Sequence, residues 1–519
     1  MVALLTPFGQ ADETKGTYTL SELRKERKKM AQRKRRLIFN NDGDDFEGHG
    51  GPKNHRTDET AAMTATPAGL LKLRTTALLE SQVDSIFYSS VFGLRLMYQE
   101  SNFKTIYEFP DRKPERRKTA VKNCKALMAN YGMDNLEVMI DSARKHGLEI
   151  FYSNRMNDNH DWYIPEFLST IKVRHPEYTI GHANAEGNQT PEETLRLMRQ
   201  GKKGETALNF GLPVIRDLTI NALREICHHY DIDGIDLDYF RFCTLFPSPV
   251  GPEQVQQLNE MTRKIRRMTE EEGLRRGRPI LISARGIMSP QRSLTSGMDF
   301  ETWLKEDLID IVMPIHLFGL QGSLREFNEL AHRYGAPSYP CLKYHHAYQL
   351  TWLMCRGEAV FRFAEGADGL TTFNRFDPTH QLWWELGDPH VLKDLDKTYT
   401  CPQHLPLNIT DTESSPLYFS VGEEVMSDPP ADKKTSVTLR LHLTHLTAQH
   451  GLQVKLNGQQ LKLVTSTPAL SDQPQDVWLE YVPALTFFQV PKNLVTASVA
   501  HVEGTVKIDN AQLTVLFRD

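Results

Sequence analysis

Eight short apolar runs recur between residues 36 and 376, and amphipathic stretches separate them. They are RLIFNN (36–41), VDSIFYSS (83–90), LEIFYSN (148–154), DIDGIDLDYFRF (231–242), ILISARG (280–286), DIVMPIHLF (310–318), YPCLKYHH (339–346) and GLTTFNRF (369–376). Each has the length and β-branched or aromatic content of a buried strand. The intervening stretches carry helix signals. Thr66 caps a helix that opens at Pro67, and Asp134 with Glu137 forms a capping box ahead of Leu136, Met139, Ile140 and Ala143, which Gly147 closes. Pro213 opens a helix with Val214, Leu218, Ala222 and Ile226 at four-residue steps. Pro252 opens another with Val255, Leu258, Met261, Ile265 and Met268 inward, and Ser323 with Glu326 caps a third. Eight strands alternating with helices predict an α/β fold, a (β/α)8 TIM barrel with its site where the strands end. An open doubly wound sheet is the alternative, but its Gly-rich phosphate loop is missing.

The character changes after Tyr399. SVTLRLHLTHL (436–446), LQVKLNGQQLKLV (452–464), ASVAHV (497–502) and AQLTVLF (511–517) alternate apolar and polar residues with no helix between them, and Asn457-Gly458 marks a tight hairpin. This predicts an all-β sandwich over residues 400–519, following a barrel over 36–395. It could bind carbohydrate or buttress the barrel. Residues 1–35 form an extension whose segment from Arg24 to Arg36 is dominated by lysine and arginine. A solvated helix leading into the first strand is the favoured reading of it, and an anionic-surface patch the other.

Composition narrows the partners. The chain has 519 residues and a net charge of −5, so no general basic field invites nucleic acid. No apolar stretch reaches the roughly 20 residues that span a bilayer. MVALLTPFGQ at the start is a poor secretion signal, which gives a cytoplasmic location by default. The six cysteines show no CxxC or zinc spacing and read as small apolar residues.

Functional signals gather at the strand ends. Asp236 and Asp238 share one face of the fourth strand, because strand side chains repeat every two residues. Burying a carboxylate pair is costly unless it serves a site. YDIDGIDLDYFRF, LNFGLPVIRD (208–217), IFNNDGDD (38–45) and YSNRMND (152–158) together resemble the glycosyl hydrolase-like family 10 barrels, over roughly residues 36 to 390. That resemblance implies a glycosidase-type barrel and a carbohydrate substrate. The fourth strand is also similar to the DGxDxDxE of family 18 chitinases, but Phe240 stands where that family has its proton-donating glutamate. A phenylalanine donates no proton, so chitinase activity is rejected.

The expected activity is hydrolysis of glycosidic bonds in a poly- or oligosaccharide, without a cofactor. Asp238 is the expected nucleophile or base, with Asp236 as the second catalytic carboxylate or as a structural partner. Asp42, Asp44, Asp45, Asp158 and Asp161 are further candidates for the acid. Asp42, Asp44, Arg155, Asn157, Asp158, Arg241, Arg285, His316, Lys343, His345, Asn374 and Arg375 are the candidate substrate-binding residues. The cationic ones among them suit a uronate or sulfated sugar if they are in surplus over the aspartates. Two other readings stay open: a glycan-binding barrel that has lost its acid, and a metal-dependent hydrolase using His316, His345 and His346.

Overall fold

In a computed structural model the chain is described over residues 18–50, 54–89, 115–162, 168–184, 205–240, 242–287, 289–315, 324–342, 351–373, 375–401, 405–409, 416–421, 434–469, 476–489, 492–501 and 505–518. Seven strands form one parallel sheet: β1 (Leu37–Asn41), β2 (Val83–Tyr88), β3 (Glu149–Arg155), β4 (Gly234–Asp238), β5 (Leu281–Ile287), β6 (Ile311–Ile315) and β7 (Leu370–Thr371). Their order is β6-β5-β4-β3-β2-β1-β7. The extended segment 338–342 closes the ring. Tyr339 N donates to Val312 O at 2.9 Å on one side, and Leu342 N donates to Thr371 O at 2.9 Å on the other. Pro337 and Pro340 have no N–H to give, which limits this eighth stave to isolated bridges rather than a ladder. Of the seventh run, the part beyond Leu342 lies outside the described residues.

Around the ring stand α1 (Leu20–Ala31), α2 (Pro67–Arg74), α3 (Glu115–Tyr131), α4 (Asn135–Lys145), α5 (Pro213–His229), α6 (Pro252–Arg276), α7 (Leu324–Arg333) and α8 (Trp352–Ala364). The Thr66 and Asp134 caps form as expected, each accepting from a backbone N–H of the first turn. Ser323 lies outside the described residues. One helix face differs from its sequence reading. In α5, Val214 is 38% exposed, and the buried stripe runs through Ile215, Thr219, Ala222, Leu223 and Ile226. The true apolar arc is set by the branched residues one position later, which meet α6 and the strands.

Alternation divides the barrel residues. Ile235 and Leu237 face the helices in the main core, whereas Gly234, Asp236 and Asp238 point into the lumen. The lumen is layered. At the N-terminal end Arg35 Nε and Nη2 grip Glu149 at 2.6 and 2.8 Å, and Ser85 Oγ adds a bond of 2.6 Å. Above them Ile38, Phe87, Phe151, Leu281, Ile311 and Met313 form a dry plug. Phe151 stacks on Phe87 with centroids 4.3 Å apart. Gly234 is what lets it sit there, since a Cβ at that position would lie 2.3 Å from the Phe151 ring.

The N-terminal helix is fastened to this end. Arg24 and Arg27 pair with Glu270 of α6, Arg27 also reaches Asp310 at 3.2 Å, and Arg36 pairs with Asp84. Arg27 and Arg35 are buried. Much of the basic segment is thus consumed by internal carboxylates, beyond the solvated helix that the sequence suggested.

The C-terminal part is two antiparallel sheets. One runs β8 (Lys397–Thr400), β17 (Val506–Arg518), β11 (Lys434–Thr444), β15 (Val477–Tyr481), β14 (Leu463–Pro468), with β9 (Leu407–Ile409) also on β17. The other runs β10 (Leu417–Ser420), β16 (Lys492–Ser498), β12 (Gln453–Leu456), β13 (Gln459–Gln460). Asn457 and Gly458 make the expected hairpin turn with φ of 48° and 81°. Between the sheets lies a second core that includes Leu439, Leu441, Val454, Leu479, Val495 and Val515.

Candidate active site

The upper end of the barrel is built by register. β3, β4 and β5 pair so that Ser153, Asp236 and Ser283 form one row, and Arg155, Asp238 and Arg285 form the next row up. Parallel pairing thereby sets charge beside opposite charge without any loop. Asp236 is fully buried and accepts from Ser153 Oγ at 2.7 Å and Ser283 Oγ at 2.9 Å, with Arg285 Nη2 at 2.6 Å. Its carboxyl is pushed up to about 6. Burial does this, against the pull of Arg285, and the neighbouring charge of Asp238 adds to it.

Asp238 stands one layer nearer the mouth and is 5% exposed. Its Oδ1 accepts from Phe240 N at 3.0 Å, and its Oδ2 lies 3.5 Å from Arg285 Nη1. Arg285 is fully buried and also donates to Ser153 Oγ at 3.2 Å. Burial weighs against its charge, but Asp236 and Asp238 more than restore it and raise its pKa. One guanidinium therefore binds Asp236 and stands as a counter-charge beside Asp238.

Arg155 is held by a second set of carboxylates. Its Nη1 is 3.3 Å from Asp158 Oδ2 and its Nη2 is 3.7 Å from Asp42 Oδ2. Asp158 also binds His160, through the backbone N–H at 3.0 Å and Nδ1 at 2.8 Å. Burial opposes the charge of Asp158, but His160 and Arg155 overcome it and hold the carboxyl well below the usual range.

The turn after β1 is organised by Arg74, from the last turn of α2. Arg74 Nη1 donates to Asn41 Oδ1 at 3.0 Å and Asp42 Oδ1 at 2.8 Å, and Nη2 donates to Asn54 Oδ1 at 2.6 Å and to Asp44. The guanidinium lies over the Phe376 ring at 3.7 Å. Although burial raises it, Asp42 is lowered by Arg74 and Arg155, whereas Asp44 is raised well above the usual range by burial and by Asp42. Asp45, fully buried, accepts from Asn41 and from Tyr88 OH. Asp161 is tied to Lys172 at 2.8 Å.

The Asn157 side chain is engaged by backbone. Its amide donates to Leu208 O and Thr244 O at 2.9 and 2.7 Å and accepts from Leu208 N at 2.9 Å, so it ties the rim segments together. Phe240 turns into an apolar wall, edge-on to Phe373 at 4.7 Å and packed with Ile315 and Cys341. Arg375 follows β7 and is partly buried. Arg241, His316, Lys343, His345, His346 and Asn374 lie outside the described residues. Among the described residues no group of three or more His, Cys, Asp or Glu is placed to hold a metal. No described helix is long and apolar enough to cross a membrane.

Four contributors escaped the sequence reading. Ser153 and Ser283 each sit two residues before a site arginine, a spacing the strand period makes legible. His160 stands beyond the third strand with no motif around it. Arg74 carries no local signal.

No family model and no curated protein sequence matches the chain. Solved structures show looser likeness. The galactosidase domain of an alpha-galactosidase-sucrose kinase, AgaSK, is 10% identical over 89% of this chain with a TM-score of 0.34, and this chain spans 58% of its length. Alpha-L-fucosidase isoenzyme 2 from Paenibacillus thiaminolyticus is 14% identical over 69% of this chain and 49% of that one, with a TM-score of 0.38. A maltogenic alpha-amylase, AmyB, from Thermotoga neapolitana is 11% identical over 86% and 99%, also at 0.38. At these identities and scores the likenesses assign neither family nor activity.

Proposed function

We propose that the protein is a glycoside hydrolase, a reading that also fits the sequence resemblance to the glycosyl hydrolase-like family 10 barrels. The observation that carries it is the row Arg155–Asp238–Arg285 at the strand ends, above the buried layer of Ser153, Asp236 and Ser283. Asp238 is the nucleophile or base. Asp236, fully buried with both oxygens engaged, acts through Arg285 and Asp238 as a positioning residue. The second carboxyl group is sought on the turn after β1, where Asp42, Asp44 and Asp45 gather around Arg74, and Asp44, raised by burial and by Asp42, is the candidate proton donor. Phe240, half-buried and backed by the buried Phe373, offers the apolar side of the mouth to the C–H face of a sugar ring.

Arg155 and Arg285 each face two aspartates, so neither brings surplus positive charge. Among the described residues these two arginines favour a neutral, hydroxyl-rich sugar over the uronate or sulfated one, whereas Arg241 and Lys343 lie outside those residues. The packing of Phe240 against Phe373, where related barrels carry their acid, favours a second reading, a glycan-binding barrel without hydrolysis.

Reducing-end release from neutral, uronate and sulfated polysaccharides separates these readings. Wild type is expected to act on a neutral polymer, and Asp238→Asn, at matched folded stability, to lose activity by about three orders of magnitude or more. Equal activity in both would remove Asp238 from catalysis. Binding without release in wild type would establish the second reading.

A further inference from the structure

The inner site can contact only the sugar units beside the scissile bond, so a polymer needs further contacts along its path. Large exposed aromatics are the groups to look for, because an indole face can stack on the apolar face of a pyranose. Trp352 and Trp384 are 39% and 40% exposed. They lie at opposite ends of the barrel. Trp384 Nε1 donates to Glu80 O, just before β2, and Trp383 O accepts from Gln82 N, which places this pair at the N-terminal end.

Trp352 belongs to the other end. It opens α8, the helix that follows the eighth stave, and Cys355 in the same first turn lies near Arg375, just past β7. Its indole also has a fixed neighbour. The Arg356 guanidinium lies 4.1 Å from the ring centroid and covers one face. Arg356 itself is 5% exposed and cannot swing away. Nε and Nη2 hold both oxygens of Glu385 at 2.8 and 2.7 Å, and Nη1 holds Asp396 O at 2.9 Å. Such a clamp removes the entropy that a mobile surface tryptophan would lose on binding. The exposed area of Trp352 is left to its other face and edge.

We propose that Trp352 is a preformed outer subsite for a sugar ring of the polymer, on the rim of the mouth. The identity of the ligand rests on the glycoside reading; the platform itself rests on the clamp and its place on the rim.

The test uses the full-length Asp238→Asn protein, so that bound polymer is not consumed, and soluble xylan, mannan, mixed-linkage β-glucan and amylose as probes in affinity electrophoresis. Binding of at least one polymer is expected, with Trp352→Ala weakening it about fivefold to tenfold. Trp352→Phe should restore most of the affinity, and Trp384→Ala should leave it unchanged. Unaltered binding in Trp352→Ala, equal losses in Trp352→Ala and Trp384→Ala, or no binding of any probe would overturn the subsite. The two readings fail separately. Trp352-dependent binding with no reducing-end release by wild type leaves the subsite and sinks the hydrolase, whereas release with Trp352-independent binding does the opposite.

Discussion

Arg285 shows how a single side chain can set two carboxylates to different tasks. It contacts Asp236 at 2.6 Å and Asp238 at 3.5 Å while donating to Ser153. A planar guanidinium spans those acceptors, and a lysine ammonium is a point charge that cannot. Arg285→Lys should therefore keep the fold but let Asp238 drift, with kcat falling about 10²-fold, the loss that an ångström of misplacement brings. Steady-state kinetics beside urea denaturation tests this, and an unchanged kcat would make the arginine merely structural. Asp236 and its row were readable because the strand period puts Asp236 and Asp238 on one face. Their inequality was not readable, since the two differ only in depth within a lumen that eight strands must close.

At the scale of the element, capping carries a pH dependence as well as a boundary. Asp134 caps α4, accepting from Glu137 N at 2.9 Å and from Tyr230 OH, and burial pushes its carboxyl up to about 6. An unfolded aspartate titrates near ~3.9. Between about pH 4 and pH 6 the folded state keeps a proton that the unfolded state has lost, so this group's contribution to stability falls as pH rises through that window. Two pKa units correspond to about 3 kcal/mol. Asp134→Asn keeps the capping oxygen and cannot ionise. Relative to wild type, its stability should gain about 1–3 kcal/mol between pH 4 and pH 7, read from urea midpoints at both values. Parallel pH profiles would show that the carboxyl titrates normally. The cap itself was plain from the Asp134–Glu137 spacing, whereas the Tyr230 contact joins positions 96 residues apart.

Across the whole molecule the barrel meets the C-terminal sheets at α8. Gly357 sits where a Cβ would lie 2.2 Å from Thr398 O, on the strand β8 that pairs with β17. Arg356 reaches Asp396 O, and Phe517 N donates to Asp396 Oδ1 at 2.8 Å, so one aspartate links helix and sheet. Val360 packs on both cores. Adding one methyl group should force these layers apart, and Gly357→Ala should lower stability by about 1–3 kcal/mol. Thermal unfolding of the full chain measures it, and an unshifted transition would mean that the two parts are not mechanically joined here.

The sequence by itself determined the alternation of strands and helices, the later change to β hairpins, and the shared face of Asp236 and Asp238. All three depend on periods of two or 3.6 residues and on caps, which act over a few positions. Tertiary structure alone decided which charges meet. Arg74 comes from α2 to hold the aspartates after β1, Arg35 and Arg27 turn from a basic tail into buried clamps, and Asn157 binds the backbone of Leu208 and Thr244. The isolated bridges of the eighth stave and the buried stripe of α5 were settled in the same way, by which neighbours closed around them. The physical reason is range. Backbone periodicity is written locally, but the partner of a buried charge is fixed only when distant segments pack, and burial makes that pairing obligatory.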